Sequence, residues 1–216
     1  MKKAKPNDVP ELVEAQYEPG SREQVLKNLL GIKSKREMDA AEAKALKRAV
    51  DELVRTYDRD NRFTAADICN IHRTWLGGIY AWAGRYRQVN ISKSDIYFAA
   101  GDQIPSLMAT FEQGPLRRHT PCNFPQRERL IQGVAEVHVE LVLIHPFRDG
   151  NGRLARLLAT LMAAQADLPL LNFEMIQGKK KLDYFKAVRE GFNRNYRPME
   201  EIFTGVIDRT VSTYPK

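Results

Sequence analysis

The stretch from Leu154 to Gln165 most restricts what this chain can fold into. Leu154, Ala155, Leu157, Leu158, Ala159, Leu161, Met162, Ala163 and Ala164 make it apolar almost all round. A surface helix has one apolar stripe, so this pattern predicts a helix at the centre of a domain, enclosed by others. The segment before it is amphipathic. Pro125 suits the first turn of a helix, and Leu130, Val134, Val137, Leu141 and Ile144 then share one face. His145-Pro146 ends that helix, because proline disfavours helical backbone in the residue before it. One amphipathic and one enclosed helix therefore meet across the loop that starts at His145.

The remaining segments surround this pair. Ser21 stands three residues before Gln24, and Ser34 three before Glu37. Both are capping-box patterns, and they predict helices near 22–31 and 35–57. In the second, Ala41, Ala45, Leu46, Ala49, Leu53 and Val54 recur at helical spacing, with Lys and Glu filling the rest. Thr64 is placed to cap a third helix ending at Gly77-Gly78. Gly84 to Ser92 then alternates and Ile96-Tyr97-Phe98 is β-branched and aromatic, with Ser92 to Asp95 between them as a turn. This predicts a hairpin, the one clear β element. Further helices are expected near 102–112, 180–191 and 198–211. The fold class is thus all-α, with one small β-hairpin. Residues 1–20, with Pro6, Pro10 and Pro19, read as a flexible arm ahead of a single domain over 21–216.

Composition narrows the function classes. In 216 residues no run approaches the roughly 18 apolar residues that a membrane span needs. The N-terminus is basic but no apolar stretch of a secretory signal follows. Two cysteines are too few for a disulfide framework, which points to a cytoplasmic protein with free thiols. The net charge of +7 suits a polyanionic ligand. No zinc-finger spacing or aromatic RNA-binding strand accompanies it, so direct nucleic-acid binding is not expected.

His145-Pro146-Phe147-Arg148-Asp149-Gly150-Asn151-Gly152-Arg153-Leu154-Ala155-Arg156 combines a base, an acid, two glycines, an amide and three arginines. Gly150 and Gly152 let backbone N–H groups approach an anion closely. The next helix starts here, and its positive end points at the same place. Arg153 and Arg156, three apart, could grip outer phosphates in charge-assisted pairs. Cations at a helix start oppose the dipole unless an anion lies between them. Asp149 is an oxygen ligand suited to Mg²⁺, and His145 can act as a general base. Phe147 would pin the loop into the core. Gly150-x-Gly152-x-x-Ala155 also matches a dinucleotide-binding fingerprint. However, the apolar run before it keeps a helical period and no βαβ units alternate along the chain.

This loop resembles the Fic (filamentation-induced-by-cAMP) signature, H-P-F-x-[D/E]-G-N-G-R-x-x-R, at every fixed position. Leu26 to Ile32 resembles the segment opening many Fic domains, and Tyr80 to Arg87 with Asn90 to Phe98 resembles the family's flap region. The resemblance implies a helical fold and transfer of AMP from ATP to a Tyr, Thr or Ser hydroxyl of a target protein. It implies that His145 takes the hydroxyl proton and that Asp149 holds Mg²⁺. Gly150, Asn151 and Gly152 would surround the α-phosphate, with Arg153 and Arg156 on the β- and γ-phosphates. Ile91, Ser92, Lys93 and Phe98 would belong to a flap that docks the target by strand pairing.

Many relatives carry an inhibitory helix, [S/T]-x-x-x-E-[G/N], whose Glu pairs with the second motif arginine. Here only Glu190 precedes a Gly or Asn, and Lys186 stands four before it. The resemblance then implies a class I arrangement, a toxin-like enzyme restrained by a separate small antitoxin or another regulator. Three alternatives stay open. One is a different group transfer on the same scaffold, such as the Doc-type kinase, which has Lys where Gly152 stands. Another is a non-catalytic binding module. The third is a metal site using His138 and His145, which are seven apart on one helix face and lack a third ligand at metal spacing.

Overall fold

The computed structural model describes residues 12–93, 96–176 and 180–214. Helix α1 spans Lys35–Thr56 and is capped by Ser34, whose side chain accepts from the Glu37 N–H. Helix α2, Ala65–Leu76, opens with a reciprocal capping box between Thr64 and Asp67. Two short strands follow, β1 at Ser92–Lys93 and β2 at Ile96–Tyr97, paired antiparallel with Ser92 opposite Tyr97. Helix α3, Ile104–Phe111, runs through a π turn at Glu112–Leu116 into the short α4, Arg117–His119. Helices α5, Arg127–Ile144, and α6, Asn151–Gln165, form the centre. Helix α7, Lys180–Glu190, and α8, Arg197–Thr213, close the domain against α5.

The expected core holds. Helix α6 buries Leu154, Ala155, Leu158, Met162 and Ala163 completely. A fully buried Leu contributes about 1.5–3 kcal/mol relative to an exposed one, so α6 fixes the position of everything attached to its first turn. In α1 the buried stripe is Met38, Glu42, Ala45, Ala49 and Leu53. One carboxylate therefore stands on an otherwise apolar face.

Two expectations are corrected. No helix forms over 22–31. Ser21 is buried and its hydroxyl exchanges hydrogen bonds with the N–H and C=O of Val25, while Arg22 and Glu23 adopt left-handed backbone. Asn28 then satisfies Leu26, Leu30 and Ile32 through its amide. Polar side chains here serve the backbone in place of a helical ladder.

The long hairpin shrinks to two residues on each strand. Ser92 and Lys93 belong to β1, and the rest of the expected turn, Ser94 and Asp95, lies outside the described residues. The segment before β1 bonds elsewhere. Arg87 N–H donates to Pro146 O at 2.9 Å, and Gln88 and Val89 N–H donate to the Glu14 carboxylate at 2.6 and 3.1 Å.

The same contacts involve part of the segment expected as an arm. Residues 1–11 lie outside the described residues, but Glu14 is buried and Tyr17 bridges to Leu26. Residues 12–20 thus pack on the domain.

Candidate active site

Helix α5 ends in an unusual way that sets the geometry of His145. Its amide still bonds Leu141 O at 3.1 Å, but φ 53° and ψ 57° put it in the left-handed region. The following proline excludes the helical alternative. The ring Nδ1 lies 2.9 Å from Val142 O. A carbonyl only accepts, so Nδ1 carries the proton; whenever the ring is neutral its lone pair is then at Nε2, the tautomer a general base needs. The Phe98 ring stacks on the imidazole at 3.8 Å. Phe98, expected to help dock a target, is thus in contact with the base itself.

The loop beyond is held from inside. Phe147 is fully buried and stacks on His72 at 3.9 Å and 8° between planes. Asn151, also buried, accepts from Phe147 N–H at 2.9 Å and donates to Phe147 O at 2.8 Å. Its side chain closes the loop on itself, which leaves its backbone N–H to face an anion. Gly150 sits at φ 84° as the N-cap of α6. A β-carbon there would lie 2.9 Å from the Trp75 ring. The first intrahelical bond is Leu154 N–H to Gly150 O, so the amides of Asn151, Gly152 and Arg153 precede the ladder and concentrate partial positive charge.

His72 was not singled out from the sequence. It is fully buried on α2, accepts from Gly84 N–H at Nδ1 (2.9 Å) and donates from Nε2 to Asp149 O (3.1 Å). Burial pulls its pKa down to about 4, against smaller opposing effects of Asp149. It is a neutral strut that fixes the Asp149 backbone. The Asp149 side chain remains half exposed, with Arg153 at 3.4 Å.

The two motif arginines have different surroundings. Arg153 forms an ion pair with Glu42, whose other oxygen accepts from Tyr80 O–H at 2.6 Å, and its guanidinium lies 4.7 Å from the Trp75 ring centre. Helix α1 thus supplies a counter-charge for Arg153 within the fold. Arg156 hydrogen bonds the Tyr184 phenol, whose oxygen lies 2.8 Å from His138 Nε2. His138 is fully buried and is committed to that contact.

The sequence did offer a signal for Glu42, a carboxylate on the buried stripe of α1. It offered none for His72 or Tyr184.

These groups converge on one cavity of about 1350 Å³. Its lining includes His145, Asp149 to Arg153, Arg156 and Phe98. Lys181, Lys186 and Arg189 lie toward α7, so five cationic side chains face two carboxylates, Asp149 and Glu174. That balance favours a polyanion. Ile91 and Ser92 lie beside the cavity on the hairpin and do not line it. For Lys93 only the strand pairing is described. Asp149 fits a Mg²⁺ ligand, because that ion is usually held by one or two carboxylates plus phosphate oxygens and this carboxylate is half exposed within the cavity.

Residues 62–163 match the model of the Fic/DOC family. The chain is 31% identical over 157 residues to protein adenylyltransferase Fic of Nematostella vectensis, covering 72% of this chain and 35% of that protein. It is 34% identical over 147 residues to protein adenylyltransferase VbhT of Bartonella schoenbuchensis, covering 66% of this chain and 29% of that protein. The chain therefore spans about a third of these relatives' length. Among solved structures, the ADP-bound N-terminal Fic domain of a VirB-translocated effector from Bartonella quintana superposes with a TM-score of 0.67 and 26% identity, covering 84% of this chain and 89% of that one.

Proposed function

The chain carries a Fic/DOC family domain, and on that premise we propose that it is a protein adenylyltransferase, moving AMP from Mg-ATP to a Tyr, Thr or Ser hydroxyl of a target protein. One observation carries this reading. A histidine whose Nδ1 bonds the Val142 carbonyl, a half-exposed carboxylate and the first residues of a helix all border one cation-rich cavity. The naming of both curated relatives as protein adenylyltransferases supports it.

In the reaction, the target hydroxyl attacks the α-phosphorus and its proton passes to His145 Nε2. The bond from the α-phosphorus to the bridging oxygen breaks and pyrophosphate leaves. The Asn151, Gly152 and Arg153 amides meet the charge that develops on the α-phosphate oxygens. Arg156 holds the outer phosphates, and Arg153, braced by Glu42, steadies Asp149. Asp149 would hold Mg²⁺, which supplies charge neutralisation of the phosphates. The hairpin with Ile91, Ser92 and Lys93 docks the target, and Phe98 keeps the base in place. Alignment of base, phosphorus and leaving group supplies most of the acceleration.

A small acidic antitoxin reaching Arg156 through the cavity mouth would restrain the enzyme. Among the described residues no helix is long and apolar enough to cross a membrane, and a cytoplasmic site gives access to ATP. The experiment is incubation with lysate, Mg²⁺ and ATP labelled at the α or the γ position. Protein label from the α position, lost in His145→Ala with ATP binding retained, is expected. Label from the γ position alone would make the protein a kinase. No label from either would make it a binding module.

A further inference from the structure

Arg87 is almost completely buried, at 1% exposure, and does not itself line the nucleotide cavity. Its guanidinium donates to three carbonyls. Nε reaches His145 O at 2.8 Å, Nη1 reaches Val89 O at 2.8 Å and Nη2 reaches Ala99 O at 2.7 Å. Val89 and Ala99 flank the two strands of the hairpin, and His145 carries the base. The three acceptors thus lie on both flanks of the hairpin and on the residue that carries the base. The Arg87 backbone N–H adds a fourth link, to Pro146 O at 2.9 Å.

A buried guanidinium needs compensation, and its three carbonyl acceptors supply it. Burial lowers the Arg87 pKa, and the Glu14 charge opposes that. The Glu14 carboxylate also accepts from Gln88 and Val89 N–H, while its own carbonyl accepts from Arg148 Nε at 2.8 Å. The N-terminal segment therefore ties the signature loop and the root of the hairpin together.

We propose that Arg87, kept in place by Glu14 through the amides of Gln88 and Val89, is a positioning residue that sets the distance and angle between His145 and the target-docking hairpin. The proposal rests on the adenylyltransferase reading. A planar fork reaches three acceptors in fixed directions, whereas a lysine ammonium cannot reproduce that geometry. Misplacement of a reacting group by about 1 Å can cost on the order of a hundredfold in rate.

The test uses the full chain as wild type, Arg87→Lys and Glu14→Gln. Expected for Arg87→Lys is a fall of about tenfold or more in α-label transfer at saturating ATP, with ATP affinity by calorimetry within about twofold of wild type. Hydrogen exchange should quicken at the amides of Phe98 and Gly101, which bond Ile91 O and the Asn90 side chain at the hairpin root. Transfer unchanged in a folded Arg87→Lys protein, or ATP affinity falling in parallel with transfer, would overturn the proposal. If Arg87→Lys does not fold, Glu14→Gln decides it: unaltered exchange at Phe98 and Gly101 refutes the link. If wild type transfers no α-label, the function reading fails, and the exchange and ATP-binding measurements still judge Arg87 independently.

Discussion

Substituting Gly152 by alanine tests whether the start of α6 was shaped for a ligand or for the fold. The two glycines of the loop look alike in sequence but differ in structure. At Gly150 a β-carbon would meet the Trp75 ring at 2.9 and 3.1 Å and Leu76 at 3.3 Å, on backbone with φ 84°. Trp75 cannot retreat, since its Nε1 bonds Glu42 O at 3.0 Å. Left-handed backbone costs a β-carbon residue about 1–2 kcal/mol and overpacking about 1–3 more, so Gly150→Ala should destabilise by about 2–5 kcal/mol.

At Gly152 the nearest atom to a β-carbon is Arg156 Nη1 at 4.0 Å, and the residue lines the cavity. The fold gives no reason for glycine there. Alanine in a helix is about 0.5–1 kcal/mol better than glycine, which raises Tm by roughly 1–4 °C in a chain of this size. The same methyl stands where the α-phosphate would approach the amides. ATP affinity should fall about tenfold or more, which is about 1.4 kcal/mol. Thermal melts and calorimetric ATP titration measure both quantities. A Gly152→Ala protein that melts clearly below wild type, or binds ATP as tightly, would refute the division of roles.

Glu42→Ala should cost about 3 kcal/mol in chemical denaturation, the lower end for breaking a buried ion pair, because Arg153 keeps 31% of its side chain exposed. A loss under about 1 kcal/mol would show that the pair braces nothing. Stability should also depend on acid. His72 and His138 are held neutral by burial, at about 4 and about 3 against 6.5 when exposed, so the unfolded chain takes up their protons first. Their contribution is full above about pH 6.5 and falls as pH drops toward 4, by about 1.4 kcal/mol per pH unit for each. Urea midpoints from pH 7 to 4 measure this, and a flat profile between 6 and 4.5 contradicts it.

The sequence was legible where chemistry and spacing are local. The periodicity of Leu130 to Ile144 and the apolar run after Leu154 mark α5 and α6, because burial acts residue by residue along one helix. The signature loop is contiguous, so its base, acid and glycines could be read together. The polar framework behind it was not legible. Arg153 meets Glu42 across 111 residues, His72 meets Asp149 across 77, and Glu14 meets Gln88 across 74. A polar residue in sequence does not say which distant partner will offset its burial. The missed turn at 22–31 has a local cause, since a serine that can cap a helix can equally hold a turn.

Glu42 also bears on how the domain can be divided. The segment matching the family begins at residue 62, but the buried carboxylate opposing its Arg153 resides on α1, and the carboxylate that holds its Gln88 and Val89 amides resides at residue 14. A piece cut to the matched segment would contain every signature residue, but Arg153 would keep only the half-exposed Asp149 and the hairpin root would lose the carboxylate its amides bond. The unit of homology is therefore smaller than the unit that is electrically self-sufficient. Transplanting this signature onto another scaffold means carrying over the two acids as well.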